Sequence, residues 1–371
     1  MNQPISIARE SDFYVPSFEI RVRGRRLDRT VINDVTRLEY VDDLEAIDQF
    51  SLTVNNWDAE RRAFKYSDGD LFLPRAQIEI DLGYHPSDMH RVMTGTITDM
   101  QVSFPAGGQS VLTLQGLNRL DDLRGEQRSQ VFENMTDSEI ARQIVGPMDL
   151  ALRTDREAEG REEAHEFVFQ HNQYDLLFLK DRARRLGYDI VVEETPDGQP
   201  GLYFGPSDTI AQRPVYKLTY GSTLIDFAPR FSTARQVGGV RVQAWDRRNK
   251  EPIVGEARRS DLRTRGVGDA GQQSRVDSDL ESRVEVIADH PVRSQREADI
   301  LARETLEKTA KEMVQGNGSV VGLPRLRAGG IVYLEGLGTR FSGRHLLTKT
   351  IHSIDDSGYA TRFECRREEI D

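Results

Sequence analysis

Gln49-Phe50-Ser51-Leu52-Thr53-Val54-Asn55-Asn56-Trp57-Asp58 reads as a strand with an aromatic stop. Phe50, Leu52 and Val54 share one phase, and Ser51 and Thr53 the other. A period of two gives a sheet one buried and one wet face. The same grammar spreads outward. Phe18, Ile20 and Val22 alternate with Glu19, Arg21 and Arg23, and Ile78, Ile80 and Leu82 with Glu79 and Asp81; Met100, Val102 and Phe104 follow, then Leu112 and Leu114. Ser67-Asp68-Gly69-Asp70 and Pro105-Ala106-Gly107-Gly108 punctuate these runs as turns. Short, punctuated strands predict a barrel or sandwich.

The period changes near residue 129. Thr136-Asp137-Ser138-Glu139 has capping-box spacing, Ile140, Ile144 and Val145 share a helical face, and Gly146-Pro147 stops the helix. A second helix starts near Asn172 or Asp175, carries Leu176, Leu177, Leu179, Ala183 and Leu186, and ends on Gly187 as a left-handed cap. Strands at Tyr188–Val192 and Leu202–Phe204 complete a small α+β module. Strand character returns at Tyr216, Leu218 and Tyr220, then at Val240, Val242 and Ala244. Residues 256–283 are polar and predict a loop. Ser294-Gln295-Arg296-Glu297 predicts the start of the longest helix, running to about Gln315, with Glu304/Lys308 and Glu307/Lys311 at favourable spacing. Strands follow at Ile331–Leu334, His345–Ile351 and Tyr359–Cys365.

Both tryptophans close a strand and precede an aspartate: Trp57-Asp58 and Trp245-Asp246. Downstream of each come Leu-Gly (Leu82-Gly83, Leu337-Gly338), a small residue plus glycine (Thr94-Gly95, Ser342-Gly343), a glycine turn (Gly108, Gly358) and a closing strand. This order predicts an internal duplication, with Trp57, Asp58, Trp245 and Asp246 as its repeated structural motif. The fold expected is mainly β with α+β insertions: a first barrel over 1–128, a small α+β domain over 129–208, and a second barrel over 209–254 and 318–371. Loop plus long helix, 255–317, interrupt the second barrel. Two like units per chain would let a trimer imitate a ring of six.

Composition narrows function. Lys and Arg number 50 against 61 Asp and Glu, a net charge of −11, which argues against general nucleic-acid binding. One cysteine, Cys365, excludes an internal disulfide framework and a Cys-rich zinc site. No apolar run approaches the roughly 20 residues of a membrane span. No leader pattern opens the chain, so a soluble protein made in a reducing compartment is expected.

Ser51 to Asp58, Val92-Met93-Thr94-Gly95-Thr96-Ile97-Thr98-Asp99, Thr136-Asp137-Ser138-Glu139-Ile140-Ala141, Gln170 to Leu179, Gln236-Val237 and Gly336 to Gly343 together carry a resemblance to the phage late control gene D family, baseplate hub proteins of contractile tails and related injection systems. It implies tube-like barrels and a homotrimeric, pseudo-hexameric ring adapting a six-fold inner tube to a three-fold spike. Implied partners are inner tube proteins, other baseplate components and a spike; because the chain stops at Asp371, the spike is expected to be a separate polypeptide. Assembly is expected in the cytoplasm before incorporation into a particle.

The residues offer little chemistry. The histidines, at 85, 90, 165, 171, 290, 345 and 352, form no HExxH, and no Cys-x-x-Cys exists. Gly266-Val267-Gly268-Asp269-Ala270-Gly271 matches GxGxxG, but Arg263-Thr264-Arg265 before it is no apolar strand, so it reads as linker. No Gly-x-Ser-x-Gly elbow occurs. Cys365 alternates with Phe363 and reads as a buried small hydrophobe. Asp42-Asp43, Asp121-Asp122, Glu162-Glu163, Glu193-Glu194 and Asp355-Asp356 are adjacent pairs, which strands send to opposite faces; they read as solvated surface. Arg23-Arg25-Arg26, Arg182-Arg184-Arg185 and Arg258-Arg259 read as salt bridges or subunit contacts. No enzyme, cofactor or metal is expected. The competing reading is a cell-wall glycan-binding or lytic tail module built on 129–208, against which Phe167, Phe169, Phe178 and Tyr188 have the spacing of core residues.

Overall fold

Alternation drives most of the strand residues of this chain into one sheet. The computed structural model describes residues 5–6, 15–84, 88–148, 150–194, 200–206, 215–247, 249–262, 270–289 and 292–368. Six strands form the first half, with a short helix α1 (Arg29–Asp34) between the first two: β1 (Pro16–Val22), β2 (Val35–Asp43), β3 (Gln49–Asn55), β4 (Gln77–Tyr84), β5 (Asp88–Ser103) and β6 (Val111–Asn118). They lie in the order β2-β3-β6-β5-β4-β1 with every neighbour antiparallel. The apolar phase behaves as its period demands: Phe50, Leu52, Val54, Ile78, Ile80, Leu112 and Leu114 are buried together.

Six more strands form the second half: β12 (Tyr216–Thr219), β13 (Leu224–Phe231), β17 (Val314–Val321), β18 (Ile331–Glu335), β19 (Gly343–Asp355) and β20 (Gly358–Arg367). Their order is β13-β17-β20-β19-β18-β12. Counted along the chain, each half therefore reads second, third, sixth, fifth, fourth, first. One rung differs, since β1 meets β4 antiparallel while β12 meets β18 parallel. Two of the three irregularities of the first half recur at the same steps of the second, while the third, at Val92 where β4 meets β5, has no counterpart. Thr36 is the extra residue where β2 meets β3, and Ile225 where β13 meets β17. Thr98 is the extra residue of β5 against β6, and Thr348 that of β19 against β20. Gly108 and Gly358 sit in the corresponding hairpins at φ +104° and +115°.

The halves join edge to edge. Residues 349–355 of β19 pair antiparallel with residues 43–37 of β2, while β18 occupies the earlier part of that edge. The result is a continuous 14-stranded sheet that branches at β19. The two closed barrels expected from the sequence are not found: among the described residues no strand pairing closes either half on itself.

Between the halves lies the α+β unit. A ribbon of β7 (Gln127–Met135) and β9 (His165–Tyr174) and a sheet ordered β8-β11-β10 (Ala151–Thr154, Pro200–Pro206, Tyr188–Glu194) enclose α2 (Asp137–Val145) and α3 (Asp175–Leu186). The Thr136 capping box forms on both sides, and Gly187 ends α3 at φ +69°. Leu176, Leu179, Ile140 and Ile144 close the core, with Phe132 stacked on Phe178 at 5.6 Å.

Three expectations for the later chain need correction. β14 (Gly239–Asp246) and β15 (Glu251–Arg258) do not enter the main sheet; with β16 (Val284–Ile287) they form their own, ordered β15-β14-β16. That sheet packs on α5 (Gln295–Lys311) through Val240, Val242, Ile253, Ala298 and Leu306. Gly255 permits the approach, since a Cβ there would stand 2.3 Å from the Ala298 carbonyl carbon. Secondly, the polar stretch 256–283 is not all loop: it holds the end of β15, α4 (Ala270–Leu280) and the turn into β16. Residues 263–269, most of the GxGxxG match, lie outside the described residues. Thirdly, α5 ends at Lys311 rather than near Gln315, and residues 314–317 already belong to β17. No helix among the described residues is long and apolar enough to cross a membrane.

Candidate functional site

Two places collect polar side chains in unusual density, and the first is the seam between the halves. Leu38, Tyr40 and Asp42 occupy the inward phase of β2, so Asp42 is carried into the interior with its apolar neighbours. Arg327, on the loop before β18, meets it there. Its Nε donates to Asp42, its Nη2 donates to Tyr40 Oη at 2.5 Å, and its Cζ lies 5.0 Å from the centroid of the Tyr40 ring. The Tyr40 hydroxyl donates to Asp48 Oδ2 at 3.2 Å, and Asn118 Nδ2 donates to the same oxygen at 2.7 Å. Burial, reinforced by the Asp42 charge, pushes the Asp48 carboxyl up to about 7.

His352 continues the network from β19. Its Nδ1 is 2.9 Å from Tyr359 Oη, and its Nε2 is 3.0 Å from the Leu326 carbonyl oxygen. Since that carbonyl can only accept, Nε2 carries the proton and Tyr359 donates to Nδ1. Burial and the Arg327 charge hold the imidazole down at about 3, so it is neutral. Nearly every polar atom finds a partner, which makes this seam a fastener rather than a reactive centre.

The second place is a cleft of about 680 Å³ between the α+β unit and α5. Asp137, the first residue of α2, is buried on its wall. Arg182 of α3 grips it, Nε to Oδ1 and Nη2 to Oδ2 at 3.0 Å, and His165 Nε2 lies 3.1 Å from Oδ2. Burial raises the Asp137 carboxyl, but the His165 hydrogen bond and the Arg182 charge outweigh it and hold it below the ordinary range. Glu162 is raised by burial, although Ser138 donates its N–H at 2.8 Å and its hydroxyl at 2.6 Å. One lowered and one raised carboxyl could suggest an acid–base pair. Here both are spent on holding the start of α2, Asp137 by Arg182 and Glu162 by Ser138. Ion pairs bridge the cleft at Arg296–Glu163 (2.9 Å) and, beside it, at Lys308–Glu45 (3.0 Å).

The residues singled out from sequence divide accordingly. Trp57 lies in a short hairpin with Phe64, which also touches Phe104. Trp245 is the last residue but one of β14 and is 59% exposed. The Trp-Asp pairs thus occupy unlike positions; the counterpart of β3 in strand order is β17, not β14. Asp58 and Asp246 cap turns, accepting from Arg61 N–H and Asn249 N–H. Cys365 is buried, and burial pushes its thiol up. Of the adjacent carboxylates, Asp42 is an interior ion pair rather than solvated surface, and Glu193 pairs with Arg153. Arg182 and Arg259 are buried ion pairs, with Asp137 and Asp277. His85 and His290 lie outside the described residues. Phe167 and Phe169 are not core: each is about half exposed, and Arg293 stacks 4.2 Å above Phe167.

Sequence reasoning missed Asp42, Asp48, Arg327 and His352 as a set. A signal existed for two of them, since Asp42 and His352 each fall in the apolar phase of their strands.

Comparison with known proteins completes the description. The profile of the Alg8 N-terminal domain family matches residues 13–356. No curated protein matches the chain in a sequence search. Among solved structures, the 43 kDa tail protein of prophage MuSo2 from Shewanella oneidensis superimposes with a TM-score of 0.70 at 15% identity, covering 95% of this chain and 98% of that one. A tail protein from Neisseria meningitidis gives 0.69 at 15% identity, covering 96% and 97%. The c3393 protein of Escherichia coli, a type VI secretion component similar to the phage T4 tail proteins gp27 and gp5, gives 0.56 at 12% identity, covering 94% and 77%. Over nearly its whole length the chain has the fold of phage tail proteins, in agreement with the resemblance read from its motifs.

Proposed function

The chain belongs to the Alg8 N-terminal domain family, and we propose that it is a structural hub of a contractile tail or injection particle. Three copies form a ring of six similar half-sheets, which adapts a six-fold inner tube to a three-fold spike. The observation that carries this reading is the strand order common to both halves, with bulges at Thr36 and Ile225 and at Thr98 and Thr348. Descent of the halves from one duplicated unit accounts for it, and a ring that alternates such halves has near six-fold symmetry from three chains. The likeness to tail proteins supports the same reading at the level of fold, as does the pairing of Asp42 with Arg327 and of Asp137 with Arg182, which commits the charged groups of seam and cleft to holding shape.

Light scattering and electron microscopy of the purified chain, alone and mixed with tube and spike components, test it. Three-chain rings that cap a tube are expected; failure to co-assemble under every condition overturns the reading. A second reading, glycan binding, is favoured by the exposed Phe167 and Phe169 on β9, because aromatic faces stack on sugars. Peptidoglycan pull-down with Phe167→Ala and Phe169→Ala checks it: capture lost in both variants supports glycan binding, and no capture of the parent chain rejects it.

A further inference from the structure

The seam inside the chain contains the instructions for a second seam between chains. β2 covers residues 349–355 of β19. The strand that corresponds to β2 in the other half is β13, and among the described residues β13 has a ladder with β17 alone. The strand that corresponds to β19 is β5. Beyond Ile97, which bonds to Arg75 and Ala76, the outer edge of β5 has no ladder partner among the described residues. One half thus offers a covered edge and a covering strand already joined, while the molecule's two ends offer the same pieces unjoined.

Burial reports the difference. Leu38, Tyr40, Asp42, Thr350 and His352 at the joined seam are almost fully buried. At the unjoined ends, Phe227, Pro229, Met100 and Val102 are half-buried, Phe231 is 37% exposed and Phe104 is 65% exposed. Inward-phase apolar side chains left half-covered at a strand edge mark a missing neighbour.

We propose that β13 of one copy lies antiparallel on residues 99–105 of the next copy, in the register that β2 and β19 use within the chain. The shared bulges fix the register. Setting Thr348 on Thr98 and Thr36 on Ile225 turns the pair Ile351↔Val41 into Gln101↔Arg230, His352↔Tyr40 into Val102↔Pro229, and Ile354↔Leu38 into Phe104↔Phe227. Aromatic and aliphatic side chains then face one another on the inward side. The contact is heterologous, edge to opposite edge, so it closes into a ring only if the rotation between copies allows it. Pro229 limits the ladder. Leu44 N–H donates to the Thr348 carbonyl at 3.0 Å, so residues 42 and 40 face the same edge, and Pro229 occupies the place of residue 40 without an N–H to donate. A proline at that edge also discourages pairing with unrelated strands.

The proposal rests on the hub reading but is tested apart from it. Gln101→Cys and Arg230→Cys, each made in the full chain, are mixed with each other and oxidised in whichever preparation light scattering finds assembled. A mixture of Gln101→Cys with Ala228→Cys serves as a control slipped by two residues. Linked dimers in the first mixture should exceed those in the control about tenfold, because disulfide geometry tolerates little displacement. The chain carrying both Gln101→Cys and Arg230→Cys should give covalent species that stop at three. Rings that assemble without this link overturn the edge pairing and leave the hub standing. Links that run past three chains keep the pairing and overturn the three-copy hub. A chain that stays monomeric in every preparation overturns both.

Discussion

The two halves of the sheet share a strand order but differ at one edge. In the middle of the molecule β2 has closed over β19, and the interior there contains a charged network in which nearly every polar atom is hydrogen-bonded. At the two ends β13 and the far part of β5 lack that neighbour, and the corresponding positions are Phe, Pro, Met and Val rather than Tyr, Asp, Thr and His. A permanent intramolecular seam can hold an ion pair because its partners are never separated while the chain is folded. An edge that must stay soluble before assembly does better with modest apolar groups and a proline, since exposing an unpaired buried charge would be costlier than exposing a Phe. The difference between halves therefore separates the contact made on folding from the contact we propose on assembly.

The sharpest way to break the joined seam is Arg327→Met. It leaves Asp42 buried, 1% exposed, without its ion partner. Removing one member of a buried pair costs about 3–5 kcal/mol, so urea unfolding should move by that amount. Asp42→Asn in the same chain should return a large part of the loss, because no unpaired charge remains. If Arg327→Met alone unfolds at the parent's urea concentration, the seam is not the fastener described above.

The unjoined edge should respond in the opposite sense. Phe231→Asp puts a charge in the proposed intermolecular contact but removes a side chain that is already 37% exposed. Monomer stability should stay within about 1 kcal/mol of the parent, while assembly measured by light scattering is lost. A variant that assembles normally would show that this edge is not used.

How much of this was legible before the fold was known follows the same division. Local signals read well: the alternation of 50–54, the Thr136 capping box and the Gly187 cap all stand where the sequence puts them. What alternation cannot say is which sheet a strand joins. Val240 and Val242 alternate as well as any residues in the chain, yet they pack on α5 because Gly255 lets that helix approach. The helix at 270–280 lacks an apolar stripe, with Gly271-Gln272-Gln273-Ser274 in its first turns, so its signal is weak. Lys308, placed four residues after Glu304, turns instead to Glu45, a partner more than 200 positions away that no local spacing could supply. The two Trp-Asp pairs stand in unlike settings, whereas the correspondence of β3 with β17 in strand order depends on pairing, which no local spacing reveals.

Acidity sharpens the view of the joined seam. Asp48 stands at about 7 when folded, above an ordinary carboxylate near 4. Its contribution is fully present below pH 4 and is lost as the pH rises through 7. His352 stands at about 3, below an ordinary 6.5. Its contribution is present above pH 6.5 and is lost as the pH falls toward 3. Between about pH 4 and 6.5 the two slopes oppose and nearly cancel, each on the order of 1 kcal/mol per pH unit. Asp48→Asn should expose the His352 slope, so that stability climbs with pH across this window. His352→Gln should expose the Asp48 slope, so that stability falls. Two variants with the same flat profile as the parent would contradict these assignments.

The smallest effect tests the likeness of the halves rather than their difference. Gly108 and Gly358 turn the corresponding hairpins at φ +104° and +115°, and an added Cβ meets nothing closer than Pro105 Cγ at 3.9 Å in one and nothing within 4 Å in the other. Steric crowding is therefore absent at both, and the cost of alanine is the backbone conformation alone, about 1–2 kcal/mol. If the hairpins are equivalent, Gly108→Ala and Gly358→Ala should lower the urea midpoint by similar amounts, and the double variant by their sum, because the turns share no contact that could couple them. A large loss at one site and none at the other would mean that one hairpin can relax to negative φ and the other cannot. The likeness of the two halves would then stop at strand order and not extend to the turns that close it.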